Sequence, residues 1–273
     1  MSLAQRSDTP VATQGQIYAI CILALIANAV AKAVIAAFAP GLATALAQGL
    51  GFSWAFWLAC ALCLRLALIA APQPASRADW WVAGASILAA ATPIGPVSSA
   101  AATALGLWLV FGPSKETHLR AAGMVLLAIA VNLLWGRLLM MVFAAEITSL
   151  DARLVGLVVH TPVHDNMVRL LDGHRMIIVE GCTSVQNASI GLMMFVAIVR
   201  TFRPVPRASE WFYLGAVFAF VVTVNDARLS LMARSMEMFE LVHGPQSWAI
   251  INLIFTLAGL IAAALCVRRE LLA

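Results

Sequence analysis

Three side chains with the chemistry of covalent catalysis lie in the second half of the chain, each beside a long apolar segment. Cys182 opens one such segment, Arg228 follows a second and His243 precedes a third. A thiolate is a nucleophile, a histidine carries protons near neutral pH, and an arginine fork holds an oxyanion or a carboxylate. Together these residue types suit a cysteine nucleophile with a proton carrier and an oxyanion-binding group. Taken singly, a lipid-phosphate contact for Arg228 and a headgroup-facing position for His243 are the more common interpretations.

Cys182 is the cysteine best placed for this chemistry. The four other cysteines lie within or beside apolar segments, at Cys21, Cys60, Cys63 and Cys266. A thiol at a helix N-terminus is stabilised as thiolate by the helix dipole. Thr183 and Ser184 are expected to cap that helix, with Glu180 and Asn225 as further supporting residues. The alternative interpretation is a buried, inert cysteine, the usual state of a thiol in a protein.

The composition indicates which solvent surrounds these residues. Of 273 residues, 62% are hydrophobic and 11% are charged, whereas soluble domains carry roughly 25% charged residues. So few charges cannot cover a water-facing surface of this size, and lipid requires helices with internally closed backbone bonds. We expect an all-α, polytopic transmembrane bundle in contact with membrane lipid. Since Lys and Arg lie mainly in short connections, we expect no nucleic-acid partner.

Apolar segments of roughly 20 residues mark the candidate spans, and the sequence predicts about eight helices. They cover residues 16–39, 52–71, 80–92, 97–111, 121–145, 183–199, 210–224 and 245–267. The third and fourth are short, so residues 80–111 form either two spans or one re-entrant hairpin. Both alternatives return the chain to the same side.

The domain organisation follows from these segments. A polar N-terminus at 1–15, with no evident cleavable signal, precedes one transmembrane domain at 16–267 and a tail at 268–273. Two polar, amphipathic connections interrupt the domain at 148–181 and 225–244, and the first ends in an extended piece at 175–179. No internal repeat is evident.

The positive-inside rule sets the predicted orientation. With the N-terminus inside, the larger basic set is cytoplasmic: Arg6, Arg77, Lys115, Arg120, Arg200, Arg203, Arg207, Arg268 and Arg269. The smaller set lies outside: Arg153, Arg169, Arg175, Arg228 and Arg234. The chain is therefore predicted to be N-in and C-in, with both polar connections and all three candidate catalytic residues on the outer face.

The motifs around these residues resemble the exosortase/archaeosortase family. The matching stretches are Glu180-Gly181-Cys182-Thr183-Ser184, then Asn225-Asp226-Ala227-Arg228, then His243-Gly244, and the resemblance covers roughly residues 150–265. The family usually has Cys-Ser-Gly where this chain has Cys-Thr-Ser. The first half of the chain matches only in hydropathy.

The resemblance implies a membrane cysteine protease or transpeptidase of the bacterial inner membrane, with its site facing the periplasm. Cys182, Arg228 and His243 take the catalytic positions. The implied partners are membrane-anchored proteins whose C-terminal sorting signals, of the PEP-CTERM type, are cleaved. No cofactor is expected.

Other interpretations remain open at the level of sequence. His160 and His164 are four residues apart, but Pro162 lies between them and no third ligand has suitable spacing, so no metal is expected. Arg137 and Asn132 lie within an apolar segment, where a charge is either functional or extends to the surface. A transporter would show repeats or paired helix breaks. An accessory protein of exopolysaccharide assembly would keep the fold without turnover.

Overall fold

The computed structural model describes residues 12–113 and 116–272, and helices account for most of them. The α-helices are α1 Gln14–Ala37, α2 Leu42–Ala47, α3 Trp54–Leu68, α4 Arg77–Ala91, α5 Gly95–Phe111, α6 Thr117–Ala130, α7 Gly136–Val159, α8 Ser184–Phe202, α9 Glu210–Met232, α10 Met236–His243, α11 Pro245–Cys266 and α12 Arg268–Leu271. Short 3-10 turns cover Gly49–Gly51 and Glu180–Cys182, and a π-helical turn covers Val131–Trp135.

Within the described residues, four helices are long and apolar enough to cross a membrane: Gln14–Ala37, Thr117–Val159, Glu210–Met232 and Ala249–Cys266. Shorter apolar helices cover Trp54–Leu68, Gly95–Phe111 and Asn187–Phe202. The predicted predominance of helices is therefore confirmed, and these apolar helices indicate a membrane-embedded protein. Arg6, Lys115 and most of the predicted polar N-terminus lie outside the described residues.

The N-terminal half forms one apolar core from α1, α3, α5 and α6, and Tyr18, Phe56 and Leu126 are among its fully buried side chains. A small polar cluster closes one end of this core. Asp79 accepts hydrogen bonds from the Gln14 amide, at 2.8 Å, and from the Tyr18 hydroxyl. Since each of these buried polar groups has a partner, the cluster joins α1 to α4 at little desolvation cost.

The chain turn between α4 and α5 is held from α1. The Asn28 side-chain amide donates to the Thr92 carbonyl and to the Ser98 hydroxyl, both at 2.7 Å. Residues 80–111 thus contain two separate helices whose connecting turn is fastened to the first helix.

Helices α6 and α7 and the π-helical turn between them follow one another directly and form a 43-residue helical segment from Thr117 to Val159 with a kink at Phe143. It contains the π-helical turn and a non-helical residue, Phe143, with φ −119° and ψ 22°. His160 ends it in the left-handed conformation, and Pro162 prevents its continuation. The predicted polar connection from residue 148 is therefore helical over its first third, because Thr148, Asp151 and Ala152 are buried against the rest of the protein.

A small antiparallel sheet follows this helix. It has the order β1-β2-β3, with β1 Val163–His164, β2 Met167–Arg169 and β3 Arg175–Ile177. The cross-strand pair Val168 and Met176 is buried, while the neighbouring pair Arg169 and Arg175 is exposed. The predicted extended piece at 175–179 thus begins as the strand β3, whose buried face covers a cluster that contains Cys182.

Helices α8, α9 and α11 form the C-terminal bundle around Phe195, Val221 and Phe255. Gly259 of α11 meets Gly191 of α8 so closely that an added Cβ would lie 2.4 Å from the Gly191 carbonyl oxygen. Small residues are what permit such close helix contact in a membrane.

Helix α9 extends eight residues past its predicted end at Val224, to Met232. Three polar residues of the predicted polar, amphipathic connection, Asn225, Arg228 and Ser230, are buried on this extension. Helix α10 then returns toward the sheet, and the Met236 backbone N–H donates to Asp172 at 2.8 Å. The two predicted polar connections therefore meet at one end of the bundle.

Candidate active site

Cys182 ends the 3-10 turn that leads from β3 into α8. Its backbone N–H donates to the Val179 carbonyl at 2.9 Å. The residue is only 7% exposed, because the sheet and α9 cover it. Burial raises the pKa of the Cys182 thiol above its ordinary value, and the nearby positive charge of Arg228 opposes that shift.

Arg228 is the charged side chain that contacts the Cys182 thiol. It projects from α9, is 3% exposed, and its guanidinium makes a hydrogen bond and a charge interaction with the Cys182 sulfur. The structure thus brings together two predicted catalytic residues that are 46 positions apart in the sequence. A buried guanidinium stabilises negative charge on the sulfur or on an oxygen bound beside it.

The supporting residue Asn225 lies one helical turn before Arg228 and fixes the main chain at the cysteine. Its side-chain amide donates to the Cys182 carbonyl at 2.9 Å and to the Ser184 hydroxyl at 3.2 Å. Asn187 of α8 donates to the Asn225 amide oxygen at 3.0 Å. This network sets the direction of the Cys182 backbone relative to α9.

The other supporting residues occupy the same turn. The Thr183 hydroxyl donates to the Glu180 carbonyl at 2.9 Å, which stabilises the 3-10 turn. Ser184 is the first residue of α8, and its backbone N–H donates a hydrogen bond to the Asp151 carboxylate of α7. Glu180 itself is exposed.

His243 lies apart from this pair. It is exposed at the end of α10, and its ring stacks on Phe239 with centroids 5.0 Å apart and planes inclined by 13°. Within residues 12–113 and 116–272, no hydrogen bond joins His243 to Cys182 or Arg228. Phe239 packs on the cluster that contains Cys182. His243 thus stands at the rim of the site.

A cavity of about 970 Å³ opens beside Gly181, between α7 and the segment that leads to the cysteine. Its polar lining includes Glu146 and Arg153 from α7 and Asn166 from the β1–β2 turn. Asn166 holds the approach to the cysteine in place, since its side chain donates to the Ile178 carbonyl at 3.0 Å. We call this space the polar cavity.

A second space lies on the other side of the cysteine turn. This apolar groove of about 480 Å³ is lined by Trp135, Leu139 and Phe143 on one side and by Val185, Leu192 and Phe218 on the other. The boundary between the two spaces falls where the helix 117–159 departs from helical geometry, because Phe143 lines the groove and Ala144 lines the polar cavity.

Two acidic residues at the site were not predicted from the sequence. Asp151 of α7 is 4% exposed and accepts the Ser184 backbone N–H at 3.1 Å. Asp226 of α9 hydrogen-bonds the Ser184 hydroxyl. The position of Asp226 between Asn225 and Arg228 was a sequence signal that could have placed it at the site. Asp151 had none, because its contact joins residues far apart in the sequence.

The remaining polar candidates lie elsewhere. Asn132, in the π-helical turn, donates to the Ser189 hydroxyl at 2.8 Å and so joins the long helix to α8. Arg137 is exposed. His160 lies at a helix end and His164 in β1, and in the described part of the chain no group of three or more His, Cys, Asp or Glu side chains is arranged to hold a metal ion.

Comparison of the chain with protein-family models, curated proteins and solved structures gives no match.

Proposed function

We propose that this protein is an exosortase-like cysteine transpeptidase that cleaves the C-terminal sorting signals, of the PEP-CTERM type, of exported proteins. The observation that carries the proposal is the buried contact between the Arg228 guanidinium and the Cys182 thiol. Cys182 packs against apolar side chains, as a structural cysteine does, but it also faces a buried guanidinium. A buried arginine is costly unless its charge is used, and a nucleophilic sulfur next to an oxyanion site uses it.

The reaction assigns one role to each residue. The Cys182 sulfur attacks the carbonyl carbon of the scissile peptide bond, and Arg228 stabilises the oxyanion that forms. The C–N bond then breaks, His243 relays the proton of the Cys182 thiol to the leaving amine, and a thioester joins the substrate to Cys182. An acceptor nucleophile or water then gives its proton to His243 and attacks the thioester, the carbon–sulfur bond breaks, and the proton returns to the sulfur.

The position of His243 at the rim is compatible with this role. Proton transfer to the leaving amine takes place on the substrate side of the thiol, and apo enzymes often have long or unformed catalytic contacts. His243 would meet the amine only when a peptide occupies the space between α10 and the cysteine turn.

The polar cavity, lined by Gly181, and the apolar groove, lined by Val185, flank the cysteine turn and support a substrate that is part polar and part apolar. The polar cavity provides room for an extended peptide segment, and the apolar groove provides a surface for the start of a membrane anchor. An anchored substrate presents its cleavage site at a fixed depth, which lowers the entropic cost of encounter.

For the membrane arrangement we propose eight crossings in the bacterial inner membrane, N-in and C-in, with the active site facing the periplasm. The four long apolar helices, the three shorter ones and α4 make up these crossings. The positive-inside rule supports the orientation. Reporter fusions at Arg203 and Asp165 test it, and a cytoplasmic signal at Asp165 would contradict it.

The decisive experiment expresses the protein with a substrate that ends in a PEP-type motif, an apolar helix and a basic tail. We expect the parent protein to shorten the substrate and Cys182→Ala to leave it at full length. A Cys182-linked peptide, identified by mass spectrometry, would establish the thioester. If a stable Cys182→Ala protein processes the substrate at the parent rate, the proposal is wrong.

A further inference from the structure

Two carboxyl groups from different helices meet at one serine hydroxyl next to the cysteine. Asp151 on α7 accepts the Ser184 backbone N–H at 3.1 Å and also hydrogen-bonds the Ser184 hydroxyl. Asp226 on α9 hydrogen-bonds the same hydroxyl, and the charge that faces it is that of Asp151. Ser184 is two residues after Cys182 and begins α8. Whatever holds Ser184 therefore also holds the cysteine turn.

The protons at this hydroxyl can be counted. A serine hydroxyl donates one hydrogen bond and accepts two. The Asn225 side-chain amide donates to it at 3.2 Å and so occupies one acceptor position. The single hydroxyl proton can satisfy only one of two carboxylates. The other acidic side chain must donate to the hydroxyl oxygen, and it can do so only when it is protonated.

The surroundings indicate which acid keeps the proton. Asp151 collects two donors, the Ser184 backbone N–H and the Ser184 hydroxyl, and these stabilise its ionised form. The Oδ1 atom of Asp226 is buried and has no hydrogen-bond partner among the described residues. A buried, bare oxygen is much costlier on a carboxylate than on a carboxylic acid.

We propose that Asp226 and Asp151 are positioning residues, the first protonated and the second ionised, that clamp Ser184 between α9 and α7 and so hold Cys182 against Arg228. The hydrogen-bond chain runs from the Asp226 carboxyl O–H to the Ser184 oxygen, and from the Ser184 hydroxyl to the Asp151 carboxylate. This inference deepens the proposed function, on which it rests for the role of Cys182 as nucleophile.

The test uses the alkylation rate of Cys182 in membranes, measured on the Cys182 peptide by mass spectrometry with a small thiol reagent. In the parent the buried thiol reacts slowly. We expect Asp226→Ala and Asp151→Ala to release the turn and raise the rate by about tenfold, as loss of a buried hydrogen-bond partner implies. Asp226→Asn should stay within about twofold of the parent, because its amide N–H₂ donates to Ser184 as the carboxylic acid does.

The two asparagine variants, Asp226→Asn and Asp151→Asn, provide the matched control for each other. Asp151→Asn removes a charge that the clamp uses, so it should raise the rate toward that of Asp151→Ala, unlike Asp226→Asn. If Asp226→Asn reacts as fast as Asp226→Ala, or if Asp226→Ala reacts like the parent, the proposal is wrong. Protein level and membrane insertion of each variant are measured alongside.

The alkylation test needs no substrate, and this separates the two proposals. Suppose that neither the parent protein nor any variant processes an anchored substrate, while the alkylation rates of Cys182 follow the expected pattern. The clamp on Ser184 is then supported and the transpeptidase function is contradicted. If substrate is processed but Asp226→Asn loses that activity together with its normal alkylation rate, the clamp fails and the function stands.

Discussion

The two ends of the C-terminal bundle both contain buried arginines, but they neutralise them in different ways. At one end Arg200 pairs with Glu210, and Arg203, which also contacts the Cys266 sulfur at 3.6 Å, makes two contacts of 2.8 and 2.9 Å with Glu270. At the other end Arg228, equally buried, faces the Cys182 thiol. A carboxylate cancels an arginine charge permanently at neutral pH, whereas a thiol cancels it only after losing its proton.

This difference separates a structural site from a chemical one. The carboxylate-paired arginines fasten α8, α9 and α12 together. In the proposed reaction, the charge of Arg228 stabilises the negative charge that develops beside Cys182. Each of the following changes tests whether the two ends differ in this way.

The largest effect is expected from Cys182→Ala, which should abolish substrate processing. No other thiol among the described residues lies beside a buried arginine at this end of the bundle. Cys182→Ser should be almost as severe, because an alkoxide is far harder to form than a thiolate. The size of an anchored substrate on gels is the measurement, and a shortened substrate with stable Cys182→Ala protein would remove the distinction between the two ends.

The next effect compares the arginines directly. Arg228→Lys should lower the processing rate by about 10²- to 10³-fold, because lysine keeps the charge but loses the planar fork that fixes an oxyanion. The control, Arg203→Lys, should leave the rate per folded molecule near that of the parent. Equal losses in the two variants would mean that both arginines are structural.

A smaller loss is expected at the rim of the site. His243→Ala should lower processing by about 10²-fold, since water replaces a positioned proton carrier poorly. The alkylation rate of Cys182 should not change, because His243 makes no hydrogen bond to the thiol in the described part of the chain. An unchanged processing rate would exclude His243 from the mechanism and leave a cysteine–arginine pair.

The charge of Arg228 should also be visible without substrate. It opposes the rise that burial causes in the pKa of the Cys182 thiol. Removing it in Arg228→Gln therefore raises that pKa further, and the curve of alkylation rate against pH should move to higher pH. A curve that stays in place, or moves to lower pH, would show that the guanidinium does not act on the sulfur.

The smallest effect on the reactivity of Cys182 is expected from a change at the end of the bundle where Arg200 pairs with Glu210. Glu210→Ala leaves Arg200 buried without its carboxylate, and breaking such a pair costs about 3–5 kcal/mol of stability. The alkylation rate of Cys182 should remain as in the parent under native conditions, since 19 residues of helix α8 separate the two ends. Thermal denaturation in detergent measures the first quantity, and a changed alkylation rate would indicate that the ends are coupled.

Hydropathy predicted the apolar helices well, because lipid leaves few alternatives to a helix wherever a long apolar segment occurs. It predicted the ends of α7 and α9 too early. Asp151, Asn225 and Arg228 fell in predicted polar, amphipathic connections, but each is buried on an extended helix, where the first two hydrogen-bond the cysteine turn and Arg228 faces Cys182. Such partners come from other helices and leave no trace in the local sequence.

The candidate site was predictable to the same extent. Cysteine and arginine are scarce enough beside apolar segments that their pairing could be expected from the motifs. The contact between Asp151 and Ser184 joins positions 33 residues apart and depends on how the long helix passes α8. The burial of Cys182 likewise depends on the sheet that covers it, and the sequence predicted only one of the three strands.

The helical segment from Thr117 to Val159 is longer than the hydrocarbon layer of a membrane is thick. At 1.5 Å per residue its 43 residues measure about 65 Å, whereas the hydrocarbon layer is about 30 Å thick. Roughly half of this helical segment must therefore lie outside the hydrocarbon layer. Its C-terminal part, in α7, forms one wall of the polar cavity. The kink at Phe143 lies where the apolar groove meets the polar cavity. Under the proposed function, this kink would fix how far beyond its membrane anchor the scissile peptide bond of a substrate must lie to meet the Cys182 sulfur.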